Sequence, residues 1–267
     1  MFQLINNIVH EFRENFKREK TWQWFVIIVI GLMIRVSNRG VTAIIGAMRL
    51  KPKLYHTMLH FYRSTAYNLK ELYKKWMRVA VKHGTMVRIS GRMLLLGDHI
   101  KLSKEGLRMP DITILHQDSQ NSGKAEYITG HNYGQISAVV TNGKVSRSLP
   151  FVTELQKSPS KSEAGDSLVV QMLNLAVETA QTIGESSVVA LDAYFSSEKA
   201  WSVVDKTLTA TGERLVEIVT RAQSNTVALL NLIENSYKSK ICRIFNKFSY
   251  STASIKSEKT RTTPKIR

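Results

Sequence analysis

The chain has one cysteine in 267 residues, Cys242, so it forms no internal disulfide, and with no thiol partner a thiolate zinc site is implausible. A reducing compartment suits that composition. Long apolar runs are also missing: the most hydrophobic stretch, Phe25 to Ile34, covers ten residues before Arg35, well short of the roughly 20 needed to span a bilayer. Arg13, Lys17, Arg18 and Lys20 precede it as in a signal peptide. Arg35-Val36-Ser37-Asn38-Arg39 follows where a small-residue cleavage site would stand, so the stretch reads as a buried helix. There is no Walker loop and no GxGxxG, which leaves a nucleotide cofactor without support, and no GxSxG nucleophile elbow. His56 and His60 lie four apart on an expected helix, but position 57 is Thr and no HExxH exists; they read as a surface or partner-facing pair.

Acidic residues are scarce at both ends. Residues 1–90 carry 16 Lys and Arg against 4 Asp and Glu, and residues 236–267 carry 9 against 1. Residues 91–150 hold 7 against 5, and residues 151–235 reverse the balance at 6 against 11. The net charge of +17 and pI near 10.0 therefore sit on two basic arms around a neutral-to-acidic middle. Such a distribution favours a polyanionic partner, nucleic acid above all, and disfavours a small neutral substrate as the whole function. A hydrophobic content of 43% is enough for a packed core in one large or two smaller domains.

The first 90 residues read as entirely helical. Phe2, Ile5, Ile8, Val9, Phe12 and Phe16 recur at helical spacing, with Arg13, Lys17 and Lys20 off the stripe. Pro52 suits the first turn of a helix bearing Leu54, Tyr55, Met58, Leu59 and Tyr62. A further helix is expected over 66–82, capped by Ser64 or Thr65 and ended by Gly84. Strand signals then take over at 92–102, at 127–141 and beyond Asn142-Gly143, which signals a two-residue hairpin turn. A helix capped at Asp166 or Ser167 and closed at Gly184, a strand over 187–192, a helix from Ser196-Ser197 through Val204 and a strand over 214–220 complete the order. Residues from Ser236 onward, rich in Ser, Thr and Lys, read as a disordered basic arm.

Strand, hairpin, helix, strand, helix, strand is the element order of an α/β, ribonuclease H-like mixed sheet, here preceded by an all-helical N-terminal region. That topology puts the ends of the first and fourth strands side by side. Asp98 follows Met93-Leu94-Leu95-Leu96-Gly97, and Asp192 follows Val188-Val189-Ala190-Leu191. Two carboxylates at the ends of buried strands need a cation, and a pair of them suits a divalent metal with oxygen ligands. The other reading has Asp98 starting a turn and Asp192 capping a helix near Tyr194 to Ser197. His99 should point to the opposite face from Asp98, as a solvated or backbone-bonded side chain. His131 either contacts substrate or sits in its strand.

A family resemblance joins these features. The runs Leu96-Gly97-Asp98-His99-Ile100-Lys101-Leu102-Ser103-Lys104-Glu105-Gly106-Leu107-Arg108-Met109-Pro110, Leu115-His116-Gln117-Asp118-Ser119 and Glu126-Tyr127-Ile128-Thr129-Gly130-His131 resemble the insertion-sequence DDE transposases. Leu191-Asp192-Ala193-Tyr194-Phe195, Thr220-Arg221-Ala222-Gln223-Ser224-Asn225 and the upstream Trp22-Gln23-Trp24-Phe25 extend the likeness over roughly residues 20–228.

The resemblance implies that Asp98 and Asp192 are the first two catalytic acids and hold Mg²⁺ (or Mn²⁺). The chemistry implied is hydrolytic nicking at the transposon end and attack of the freed 3′-hydroxyl on target DNA. Lys101, Lys104, Arg108 and Arg221 would contact phosphates, the alternative for the first three being a solvated loop. It implies a homo-oligomer on transposon and target DNA, with no membrane role, in the cytoplasm and associated with the nucleoid. The domain division is a basic DNA-binding region over 1–90, an incomplete catalytic core over 91–228 and a tail over 229–267. The family's third acid, usually a Glu on a later helix, lacks its surroundings here; Glu234 and Glu258 are the late candidates. The chain is therefore expected to be a truncated or frame-shifted transposase that departs from the family near Ala228, with cleavage lost. The alternative is a non-catalytic DNA-binding remnant that inhibits an intact transposase.

Overall fold

The structure, a computed structural model of the chain, describes residues 2–36, 40–104, 106, 109–117, 125–158 and 166–221. The N-terminal apolar stripe forms α1 (Phe2–His10) and then breaks into a 3-10 turn at Arg13–Asn15, with Phe16 already extended. Phe12 and Phe16 remain buried through the break, so burial of the stripe is kept although the helix is not. They pack on α2 (Glu19–Ile34) through ring contacts of Phe16 with Trp22 and Phe25, and of Phe12 with Phe25. The apolar stretch at 25–34 is thus part of a helix whose Ile28 is buried but whose last turn leaves Leu32, Met33 and Ile34 exposed. No helix among the described residues is long and apolar enough to cross a membrane.

Two short helices, α3 (Val41–Ala47) and α4 (Leu54–Arg63), close this cluster with Ile44, Ile45, Met58 and Phe61 inside. The longer α5 (Leu69–His83) begins later than its expected start at 66. Asn68 takes the cap, its Oδ1 accepting from the amides of Lys70 and Glu71, whereas Ser64 Oγ serves the amide of Ala66 in the preceding turn. Gly84 ends α5 in extended backbone, φ −101. Its lack of a Cβ matters for space instead, because one would lie 2.8 Å from Ala80 O and 2.9 Å from Met86 Cε.

Among the described residues, β1 (Arg88–Ile89), β2 (Arg92–Ser103), β3 (Thr113–His116), β4 (Tyr127–Thr141), β5 (Ser146–Gln156), β6 (Ser187–Leu191) and β7 (Val216–Thr220) form one mixed sheet. Its path is β3-β4-β2-β6-β7, with β5 on β4 and β1 on β2. The pairings β2–β4 and β4–β5 are antiparallel, and β6 and β7 run parallel to β2. The hairpin joining β4 to β5 uses four turn residues, 142–145, where the Asn-Gly pair suggests two. Asn142 Oδ1 accepts from the amides of Lys144 and Val145, and Gly143 takes φ +85, so the side chain builds a wider turn. The short strands β1 and β3 carry too few residues for a period to show.

One face of the sheet is covered by α5, α6 (Leu168–Ile183) and α7 (Glu198–Asp205). Ser167 caps α6 and Gly184 closes it in left-handed backbone, φ 72, as the sequence signals require. Met172 of α6 meets the β2 and β4 backbones, since a Cβ on Gly97 or Gly134 would lie 3.5 or 3.2 Å from its side chain. Met93, Leu95, Ile136, Ala138, Val189, Val216 and Ile218 fill this core. Trp76 of α5 packs in both cores, and its Nε1 donates to Pro150 O at 2.7 Å.

Candidate functional site

Strand register decides where the two aspartates lie. Along the parallel β2–β6 pair, Met93 faces Ser187 and Leu96 faces Ala190. Two steps further in the same register stand Asp98 and Asp192. Asp192 keeps extended backbone (φ −74, ψ 176), so β6 carries its direction through it. Neighbouring strands lie about 4.8 Å apart, and continuing the register one-to-one past Leu96↔Ala190 assigns both aspartates to one sheet face. That face is the one opposite α6: Gly97 and Leu191 pack against each other on the helix side, and alternation turns the next residue of each strand away.

Two details differ from the sequence expectation. Asp98 does not end its strand, because the long β4 continues to pair with β2 from Asp98↔Gln135 to Ser103↔Gly130. Nor are the carboxylates buried: both aspartates are exposed, so desolvation does not compel a cation there. Asp192 also fills the capping role weighed for it, its Oδ1 accepting from Tyr194 N at 3.0 Å at the start of the 3-10 turn Ala193–Phe195. This bond orients the carboxylate of an exposed residue.

His99 does point to the helix side, where it is half-buried and packs on aromatic rings. Its ring lies 5.0 Å from Phe195 and 5.7 Å from Tyr194, tying the segment after Asp98 to the segment after Asp192. Burial holds the imidazole below its ordinary range, against the opposing pull of Gln156 and of the charges on Asp98 and Asp192. Neither His99 Nε2 nor Gln156 Nε2 has a partner at hydrogen-bond geometry. His131 is buried in β4, its Nε2 against Pro110 O at 2.8 Å, which answers the choice between strand and substrate in favour of the strand.

The expected phosphate contacts separate. Lys101 lies on β2, not in a loop, with its Nζ donating to His116 O at 2.7 Å; alternation places it with His99 on the helix side. Lys104 follows the strand and holds it by donating its backbone amide to Thr129 O. Arg221 is exposed and follows Thr220, the last β7 residue paired with β6, so that Asp192 and Arg221 are next in that register. Thr220 Oγ1 donates to Asp192 O, joining these two strand ends. Arg108, Glu234 and Glu258 lie outside the described residues, as does everything after Arg221.

Gln135 was not singled out by sequence. As the register partner of Asp98 it shares the aspartate face, and Thr153 Oγ1 donates to its Oε1. Counting back from the hairpin turn would have found it, had the turn length been known. Among the described residues no group of three or more His, Cys, Asp or Glu side chains gathers as metal ligands. The two aspartates are nevertheless hard oxygen donors on an open face, a donor set that fits a divalent cation keeping several waters. No protein-family model, no curated protein and no solved structure matches this chain.

Proposed function

We propose that the chain is an insertion-sequence DDE transposase polypeptide that binds element DNA, with Asp98 and Asp192 as the two metal-holding acids of a ribonuclease H-like core. The observation that carries this reading is their shared register on adjacent parallel strands, on the face α6 leaves free. The order β5-β4-β2-β6-β7, antiparallel across its first three strands and parallel thereafter, supports the same topology.

In this reading Asp98 and Asp192 would hold Mg²⁺ or Mn²⁺, which would supply Lewis-acid activation for phosphodiester cleavage. The chain's own residues prepare for it. The amide of Tyr194 orients Asp192, the wedge of His99 against Tyr194 and Phe195 holds the two segments together, and Arg221 and Lys104 supply cations for phosphate contact. A dimer or larger assembly on paired DNA ends belongs to this proposal.

The alternative reading, a non-catalytic DNA-binding remnant or inhibitor, has one observation in its favour: no third acid joins the pair among the described residues. The experiment combines Mn²⁺ titration by electron paramagnetic resonance with duplex binding and plasmid nicking. Mn²⁺ binding that vanishes in Asp98→Ala supports the assigned site; binding unchanged in Asp98→Ala/Asp192→Ala removes it. The expected nicking is negligible. Robust nicking abolished by Asp98→Ala refutes the remnant, and failure to bind duplex DNA at low salt defeats both readings.

A further inference from the structure

We propose that the outward face of α4 is the surface by which this chain docks on duplex DNA, in the major groove. The proposal rests on the DNA reading above for its partner and adds where that partner sits. Residues 20–70 contain no Asp or Glu, yet hold Lys20, Arg35, Arg39, Arg49, Lys51, Lys53, Arg63 and Lys70. Within that stretch α2, α3 and α4 pack on one another, with Ile28, Ile44, Ile45, Met58 and Phe61 between them. The turn from α3 to α4 passes through Arg49 in left-handed backbone, φ 49. The turn spans residues 48–53, and α4 packs on both α2 and α3.

That side is chemically uniform. Lys53, just before the helix, and His56, Thr57, His60 and Arg63 recur at steps of three and four residues, all exposed, while Met58 and Phe61 face inward. Every one of the five outward side chains can donate a hydrogen bond and none is acidic. None has a polar partner among the described residues. A ten-residue helix is about 15 Å long and of a width the major groove, about 12 Å across, admits.

Charge counted along the sequence would favour α5, with Lys70, Lys74, Lys75, Arg78 and Lys82. The structure reverses that choice, because four of these are in ion pairs: Lys70 with Glu154, Lys74 with Glu71, Lys75 with Glu14 and Lys82 with Glu11. Among the described residues no acid pairs with a cation of α4, whereas four of the five cations named on α5 are paired. A lipid surface is disfavoured by the same geometry, since an interfacial helix turns its apolar side outward and α4 buries it.

The test uses the full chain with a fluorescent duplex of random sequence, about 30 base pairs long, titrated across a range of salt. Lys53→Ala/Arg63→Ala is expected to weaken binding about tenfold or more near 0.1 M salt and to lower the slope of log K against log salt by about 2. His56→Ala/Thr57→Ala/His60→Ala should flatten the sequence preference recovered from a randomised duplex library. Lys74→Ala/Lys75→Ala on α5, both cations already paired, should change affinity less than about twofold. Circular dichroism and melting establish that each variant is folded. For any that is not, hydroxyl-radical labelling of the wild-type chain reads the same surface, with DNA expected to protect peptides spanning 49–63. Unchanged binding in the α4 variants, protection of α5 in place of α4, or loss confined to anionic vesicles overturns the proposal and leaves the DNA reading standing. A wild-type chain that binds no duplex overturns that reading itself.

Discussion

Two glycines show at residue scale how tightly the site's sheet is built. A Cβ on Gly97 would meet Leu191 Cδ2 at 2.5 Å and Ile136 Cδ1 at 3.2 Å, both ends of side chains that can turn aside. On Gly130 it would meet Leu102 O at 2.1 Å and Leu102 C at 2.9 Å, which are backbone and cannot. Gly97→Ala should therefore cost about 1–3 kcal/mol as ordinary overpacking, and Gly130→Ala more, in urea unfolding at neutral pH. A different sensitivity belongs to Glu11. Hydrogen bonds from His83 and Lys82 lower its carboxyl below the usual range, so its contribution is present above the unfolded value, about 4.3, and is lost as pH falls through the lower folded one. The melting-temperature gap between wild type and Glu11→Gln should be widest near neutrality and close in acid. The pattern of charges showed none of this, because Glu11 meets its partners across 71 and 72 positions.

At the scale of elements, α5 links the helical cluster to the sheet: Met77 and Ala80 lie in one core, Val79 in the other, and Trp76 in both. Sequence places its start too early because Ser64 and Thr65, read as the cap, precede Asn68, which also has a capping side chain. The fold resolves it: Ser64 is used in a turn, and Asn68 alone serves two helix amides. Asn68→Ala should cost about 1 kcal/mol in thermal unfolding, whereas Thr65→Ala stays within about 0.5 kcal/mol. The strands β2 and β4 were legible from apolar runs and alternation, and α6 from its cap and closing glycine. The break after α1 was not, because the stripe of Phe12 and Phe16 stays buried through a 3-10 turn and period alone cannot distinguish the two.

For the whole molecule, exposure of the aspartates separates their chemistry from stability. Asp98→Ala and Asp192→Asn, the latter retaining a capping oxygen, should leave metal-free stability within about 0.5 kcal/mol of wild type. Any rise in melting temperature caused by Mn²⁺ should disappear in both. A loss of stability without metal in Asp98→Ala would mean that the carboxylate serves the fold. Sequence by itself determined the strands that carry Asp98 and Asp192, the face His99 takes, and the acid-free stretch from 20 to 70, since each depends on local period or composition. Tertiary structure alone decided three further things. Parallel register set the two aspartates at neighbouring strand positions, the length of β4 carried Asp98 into the middle of a strand, and among the described residues distant acids paired with Lys70, Lys75 and Lys82 of α5 and none with α4. Each depends on contacts between residues far apart in sequence, and no local pattern encodes which distant partner a strand or a cation will find.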